Sequence, residues 1–449
     1  MRVGVVLLID IAKSFMIEVT MFKTYIQKKL EGYVVKYFKK HPEVKLVVVT
    51  GSIGKTSTKQ AIATLLSTKY RVTMHNGNHN TEMSVPLAIL GIEYPDDVHS
   101  ITSWLTVFSA ARRRIREATS TDVIIAELGA DRPGDIARFG TYLKPDIAVV
   151  TAVTPEHMEF FKTMPVVAEE ELASANFSQL AIINRDDIDA QYATYLTNSN
   201  VDTYGTTGMA EYRFEVEDFT VETGYKGFVI VPEYARSIPV TIKVIGEHSL
   251  RPVMAAVAVS MKLGLIPDQV AEGLAMIKAV PGRMNVLRGI DNTIVIDDTY
   301  NSSPLAASSA LQVLYGLQVP QRIAILGSMN ELGDTSEEEH RKLGALCDPN
   351  LLSYVITIGD DAEKFLAPAA RARGCSVKSF KSALDAGAFA RSITEEGAAI
   401  LVKGSQGNIY AEEAVKMLCV MSEDDELVRQ SPAWIAKKDA FFSKFSKDA

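Results

Sequence analysis

The 449 residues are 47% hydrophobic and 23% charged, which excludes a disordered or fibrous chain and predicts two or three domains. A formal net charge of -8 and a pI near 5.6 exclude a protein built to grip a polyphosphate backbone, so nucleic acid is not an expected partner. Three cysteines, Cys347, Cys375 and Cys419, are too few for a disulfide framework or a cysteine-rich zinc site, and they fit a cytoplasmic protein.

Residues 1–45 carry nine Lys/Arg against four Asp/Glu, with Phe22, Tyr25, Ile26, Leu30, Val34 and Phe38 at roughly helical spacing. This reads as an amphipathic helical segment. Either it packs on the following domain with a solvated basic face, or it touches a membrane surface, since basic amphipathic helices bind anionic lipid. The apolar run Val3–Ile9 is short, and Asp10, Lys13 and Glu18 interrupt the residues after it. It fits neither a cleavable signal nor a span of roughly 20 apolar residues.

From Leu46 the text changes to short apolar, β-branched runs separated by helical stretches: Leu46–Thr50, Val123–Glu127, Ile147–Thr151 and Leu180–Asn184. That alternation predicts an α/β fold with a mainly parallel sheet and helices on both faces. Between Arg213 and Val244 the residues alternate in period two, which predicts a small antiparallel insert decorating the central domain. After Pro281-Gly282-Arg283 a second α/β series begins, with strands at Thr293–Asp297, Arg322–Leu326, Tyr354–Ile358 and Ala398–Val402. The expected domains are therefore a central one over 46–281 and a C-terminal, Rossmann-like one over 282–449, its end from about Ser422 read as a peripheral tail.

The most informative segment runs from Val47 to Thr58: a buried strand, a glycine turn Gly51-Ser52-Ile53-Gly54, then a helix opening Lys55-Thr56-Ser57. Glycines let backbone N–H groups approach phosphate oxygens, the helix N-terminus adds its positive end, lysine adds charge and a threonine hydroxyl can ligate magnesium. Two residues separate the glycines, rather than the four of the common P-loop, and a plain strand-turn-helix is the alternative. Glu127 at a strand end suits magnesium, which prefers oxygen ligands. His157 follows the next strand, where a satisfied loop histidine is the ordinary reading.

The ordered succession Gly51-Ser-Ile-Gly-Lys-Thr-Ser57, Asn78-His-Asn80, Glu127-Leu-Gly-Ala, Glu156-His157-Met-Glu, Pro281-Gly-Arg283-Met, Asp297-Asp298-Thr-Tyr-Asn301, Leu326 to Gly333 and Val402-Lys403-Gly-Ser405 resembles the Mur ligase family over about residues 46–420. The resemblance implies a central P-loop ATPase domain, a C-terminal Rossmann-like domain and ADP-forming amide ligation through an acyl phosphate. It implies ATP and Mg2+ as cofactors. Its substrates would be a small-molecule or peptide-bearing carboxylate acceptor and an amine, with D-alanyl-D-alanine addition to a peptidoglycan precursor as the leading reaction. By the same resemblance Lys55 and the loop amides hold the phosphates, Thr56 and Glu127 bind one magnesium, and His157 helps to hold a second. Arg283 reaches the γ-phosphate on domain closure and Asp298 the ribose; Asn301 and Lys403 lie near the amine and the carboxylate, with Asn78 and Asn80 beside the phosphates.

Three departures bear on these roles. The 45 residues ahead of the loop are fewer than the UDP-sugar domain with which the family usually begins, which keeps an acceptor without a UDP-sugar open. Glu171, in Ala168-Glu-Glu-Glu-Leu172, stands at the offset where many members carry a carbamylated lysine, and it is expected to supply the magnesium-side charge or to sit on a solvated acidic face. The family's His-Asn-x-x-Asn near the adenine reads His248-Ser-Leu-Arg-Pro252. A nucleotide-binding regulatory protein without ligation is the reading from another class.

Overall fold

Buried strands alternate with helices through the computed structural model, which describes residues 2–75, 79–95, 97–423 and 425–445, with side chains from Met21 onward. Asn78 lies outside the described residues. The first elements are α1 (Arg2–Lys40), β1 (Lys45–Thr50), α2 (Lys55–Leu66), β2 (Val72–Met74), α3 (Ser84–Leu90), α4 (Ile101–Arg116) and β3 (Val123–Glu127). There follow α5 (Asp135–Phe139), β4 (Ile147–Val150), α6 (Met158–Phe161), α7 (Met164–Asn176), β5 (Leu180–Asn184) and β6 (Val201–Gly205). Then come β7 (Tyr212–Thr220), β8 (Gly224–Ile230), β9 (Ile238–Ile242), α8 (Leu250–Lys262), β10 (Asn285–Arg288) and β11 (Ile294–Asp298). The last strands are β12 (Arg322–Gly327), β13 (Tyr354–Ile358), β14 (Val377–Phe380) and β15 (Ala399–Lys403).

Contacts divide the chain into two units. The first comprises Met1–Val153, Pro165–Tyr204 and Ala255–Val270, the second Thr154–Met164, Gly205–Met254 and Ala271–Ala449. In the first unit the strands lie parallel in the order β2-β3-β1-β4-β5-β6. β1 is central and buried from Leu46 to Thr50, as a strand covered on both faces must be, which is why it reads as an unbroken apolar run. Its register pairs Val49 with Glu127, so the carboxylate ends β3 beside the start of the glycine loop.

α1 packs on this unit through Ile26, Leu30, Tyr33, Val34 and Tyr37, all buried with α3 and α4 in one apolar cluster. Complete burial of a side chain of this size stabilises by about 1.5–3 kcal/mol. The stripe follows the 3.6-residue period strictly. Tyr25, expected on the apolar face, therefore points out, and Tyr33 and Tyr37 take the buried positions.

In the second unit β11, β15, β12, β13 and β14 are parallel in that order, with β10 antiparallel against β11. β7, β8 and β9 form the expected antiparallel run. By contacts Gly205–Met254 falls in this second unit. The physical reason is apolar contact: Phe219, Val221 and Ile245 join the core beneath β11 and β12.

Candidate functional site

In the first unit the chain leaves β1 through Gly51, at φ 123°, and enters α2 through Gly54, at φ 82°, both left-handed conformations that favour glycine. A Cβ on Gly51 would lie 2.1 Å from the Thr151 Oγ1, so the close approach of the two strand-end loops also demands glycine there. Thr151 Oγ1 donates to the carbonyls of Thr50 and Ile53 at 2.9 and 2.5 Å and fixes the loop from behind. Gly54 offers no side chain to cap α2, which leaves the positive end of the helix for an anion.

Lys55 folds back over this loop, its Nζ donating to the Gly51 carbonyl at 2.5 Å and to the Ser52 carbonyl at 3.3 Å. Thr56 Oγ1 donates to Glu127 Oε2 at 3.1 Å, and Asn80 Nδ2 lies 3.4 Å from Glu127 Oε1. Lys59, one turn beyond Lys55, is buried with its Nζ 3.3 Å from Glu127 Oε2. Sequence reasoning passed over Lys59. The signal was available, since i and i+4 share a helix face.

Glu171 is buried on α7, not on a solvated face. Its carboxylate accepts a 2.7 Å hydrogen bond from the Gly51 N–H, and its own carbonyl accepts from Thr50 Oγ1 at 3.1 Å. Its immediate partner is thus the backbone of the glycine loop. Glu170, the adjacent residue, does different work: its carboxylate accepts from the N–H groups of Gly134 and Ile136 and caps α5, while burial pushes its pKa up. Among the described residues no three His, Cys, Asp or Glu side chains converge on a metal-sized site. Of the expected metal-binding residues, Thr56 and Glu127 come together.

In the second unit His157 occupies a left-handed position, φ 47°, ahead of α6. Its Nε2 lies 3.6 Å from Glu156 Oε1 and its Nδ1 3.5 Å from Glu331 Oε2. Arg283 follows Gly282, at φ 70°, and its guanidinium stacks 4.2 Å from the centroid of the Tyr300 ring.

The end of β11 is a dense polar knot. Asp297 is fully buried; it accepts from the Gly282 N–H at 2.9 Å and from Thr299 Oγ1 at 2.6 Å. Burial pushes its pKa up to about 6. Asp298 accepts from the Met284 N–H at 3.2 Å and, through Oδ2, from Lys403 Nζ at 2.6 Å. The parallel register places Asp298 opposite Lys403, so this buried ion pair follows from strand pairing. Lys403 also donates to the Asn301 carbonyl at 3.0 Å, whereas Asn301 itself is exposed. His248 is half-buried within electrostatic reach of Asp298 and Lys403, and desolvation of the ring pulls its pKa down to about 4, so it is neutral at pH 7.

The tail contributes a residue that sequence patterns gave no means of finding. Arg429 donates to the carbonyls of Thr299 and Tyr300 at 2.6 and 3.0 Å and pairs at 2.7 Å with the wholly buried Glu412. It braces the loop that carries Asp298 and Asn301.

Residues 49–260 match the Mur ligase middle domain, and residues 282–406 the Mur ligase, glutamate ligase domain. The chain is similar to the UDP-N-acetylmuramoyl-tripeptide–D-alanyl-D-alanine ligase of Bacillus subtilis, 28% identical over 326 residues that cover 70% of this chain and 63% of that one. It is similar also to the enzyme of the same name from Escherichia coli, 27% identical over 73% of this chain and 67% of that one. It thus spans about two thirds of the length of these curated relatives. Among solved structures, MurF from Acinetobacter baumannii has a TM-score of 0.70 at 22% identity, with 86% of this chain and 79% of that one covered. MurF from Thermotoga maritima in complex with ADP gives 0.68 at 23% identity, covering 88% and 82%.

Proposed function

The chain belongs to the Mur ligase family, and from that premise we propose that it is an ATP-dependent, ADP-forming amide ligase joining D-alanyl-D-alanine to the carboxylate of a peptidoglycan-precursor peptide. The observation that carries this reading is the glycine loop: two left-handed glycines at the open end of α2, with Lys55 and Thr56 on its first turn and Thr56 bonded to Glu127. The substrates come from the similarity to enzymes named for that addition. The proposed setting is cytoplasmic.

The acceptor carboxylate attacks the γ-phosphorus of ATP, the bond to the β–γ bridging oxygen breaks, and ADP leaves an acyl phosphate. The amine nitrogen then attacks the acyl carbon; the tetrahedral oxyanion collapses to the amide, phosphate departs, and the amine proton passes to solvent. Phosphoryl transfer of this kind needs positioned charge more than covalent help. Lys55 and the amides from Ile53 to Ser57 are assigned to the phosphates, those of Gly51 and Ser52 being held by Glu171 and the Ala152 carbonyl; Arg283 is assigned to the γ-phosphate, Asp298 to the ribose and the exposed Asn301 to the incoming amine, with His157 and Asn80 as supporting polar groups. The buried Lys403 is assigned to positioning Asp298 and the Asn301 backbone.

Magnesium fits the oxygen donors that meet at Thr56 and Glu127, since this ion is commonly bound through one or two carboxylates together with substrate phosphates. Thr56 and Glu127 would hold the ion, which would supply charge neutralisation at the transferring phosphoryl group. Glu171 is assigned a native negative charge behind the Gly51 amide, where relatives with a carbamylated lysine generate theirs from bicarbonate.

Purified protein given ATP, magnesium and a UDP-muramoyl tripeptide or a free peptide acceptor should release phosphate only when D-alanyl-D-alanine is added, with a product mass equal to acceptor plus dipeptide minus water. Phosphate release indifferent to any amine would abandon ligation.

A further inference from the structure

The tail from Ser422 onward belongs to the second unit and lies beyond residue 406, where the match to the glutamate ligase domain stops. Its helix, Pro432–Phe442, fastens it to that unit. Lys438 is 3% exposed and pairs with Glu412 at 3.5 Å and with Glu413, while the Phe441 ring meets the buried Tyr410 edge-on at 5.1 Å. Ahead of that helix the chain passes through Arg429 at φ 56°, a left-handed conformation uncommon for a residue other than glycine. Its guanidinium is turned inward, with the side chain 6% exposed. Nε and Nη2 grip the two oxygens of Glu412 at 2.9 and 2.7 Å, and Nη2 and Nη1 also donate to the carbonyls of Thr299 and Tyr300. Arginine's planar fork suits such a bridge, and lysine's ammonium does not.

Next to Arg429, Val428 lies against the turn that carries Arg283: a Cβ on Gly282 would come within 2.8 Å of the Val428 Cγ1. The tail thus touches both segments that meet at Arg283. Tyr300 is held from two sides, since its N–H donates to the Gly282 carbonyl at 2.9 Å and its carbonyl accepts from Arg429 at 3.0 Å. Its ring is the platform on which the Arg283 guanidinium stacks. The residues on either side have another anchor, because Lys403 holds the Asp298 carboxylate and the Asn301 carbonyl. Bracing of this loop is therefore divided between two cations.

We propose that Arg429 is a positioning residue for phosphoryl transfer: by fixing the Thr299–Tyr300 backbone it sets the aromatic platform that aims Arg283. The proposal rests on the assignment of Arg283 to the γ-phosphate. A group that stabilises a transferring phosphoryl acts only from the right place, and a displacement of about 1 Å can cost on the order of 100-fold in rate. Loss of Arg429 releases the backbone beneath the Tyr300 ring but leaves Lys55 and Thr56 on the glycine loop and Asn301 on Lys403. The chemical step should slow while both substrates bind as before.

The test is the single-turnover rate of phosphoryl transfer by the full chain, with KM values for ATP and D-alanyl-D-alanine from steady-state phosphate release. Arg429→Met should slow the single turnover about tenfold and keep both KM values within about twofold of the parent. Tyr300→Leu should reproduce that loss. Because Arg429 works through Arg283, adding Arg429→Met to Arg283→Ala should slow the enzyme by no more than about twofold further. Arg429→Met/Glu412→Gln removes both buried charges together, so it keeps the test open if the single variant fails to fold; the same loss of about tenfold is expected with a parent-like melt. Parent rates in a folded Arg429 variant, losses that multiply in the Arg283→Ala background, or a loss confined to KM would each overturn the proposal. A parent that releases no phosphate in response to the dipeptide would overturn the ligase reading itself, and the proposal with it.

Discussion

At the glycine loop, Lys55 and Glu171 meet backbone groups beside an uncapped helix end, with Lys59 and Glu127 paired behind them; at the end of β11, charges are buried and paired with one another. Lys55 donates to carbonyls of its own loop, and Glu171 accepts from the Gly51 amide. Asp298 is joined instead to Lys403, and Glu412 to Arg429. The difference separates two kinds of work. A backbone group that gives up its contact to a ligand phosphate strands no charge of its own, whereas a buried ion pair holds a shape and is costly to break from one side.

Lys55→Ala breaks the comparison most sharply. It should lower amide formation by about 10³-fold, the scale of losing a positioned electrostatic group, while the thermal midpoint stays close to that of the parent. Steady-state turnover and a melt on the same sample check both halves. Undiminished turnover would remove the phosphate assignment.

Lys403→Ala should do the reverse, because it leaves Asp298 buried without its cation. Loss of one partner of such a pair costs about 3–5 kcal/mol, to be read from urea unfolding. A change under about 1 kcal/mol would place Asp298 in contact with solvent and undo the distinction.

Asp297 sharpens the description of the second region through pH. Its folded pKa of about 6 lies above the ordinary 3.8, so the folded state retains a proton that the unfolded state releases. The stability this contributes is complete below pH 3.8 and is lost as pH rises through about 6, by about 3 kcal/mol in all. His248 runs the other way: its contribution is complete above pH 6.5 and is lost as pH falls through about 4. The decisive reading is therefore a difference, with Asp297→Asn losing less stability than the parent between pH 4 and pH 7. Parallel curves would show that Asp297 is ionised throughout.

Arg283 tests whether a residue of the second unit acts in the chemical step. Arg283→Ala should lower the single-turnover rate about 100-fold with ATP affinity changed far less. A pure loss of affinity would assign it to ground-state binding. The smallest effect is expected for Glu171→Gln, which keeps the shape and one acceptor oxygen: about a tenfold rise in the magnesium or ATP requirement, roughly 1.4 kcal/mol. Parent activity that falls when bicarbonate is stripped from the buffer would contradict a built-in carboxylate.

Much of the fold was legible because strands covered on both faces must be apolar throughout, and that pattern marks β1, β3, β4, β12 and β15 in the bare text. The glycine loop was legible for a related reason, since left-handed backbone at Gly51 and Gly54 restricts residue choice locally. Whether Tyr25 or Tyr37 is buried was less clear, because closely spaced apolar residues allow several stripes until a neighbour selects one.

The sequence by itself determined what depends on near neighbours along the chain: the α/β alternation, the strand-turn-helix with Lys55 and Thr56, and the carboxylate of Glu127 at a strand end. Tertiary structure alone decided the partners. Glu171 meets Gly51 across 120 residues, Lys403 meets Asp298 across 105, and Arg429 reaches Thr299 across 130. Such pairings are set by strand register and by which helix face the core covers, and both are properties of the packed chain that no local pattern encodes.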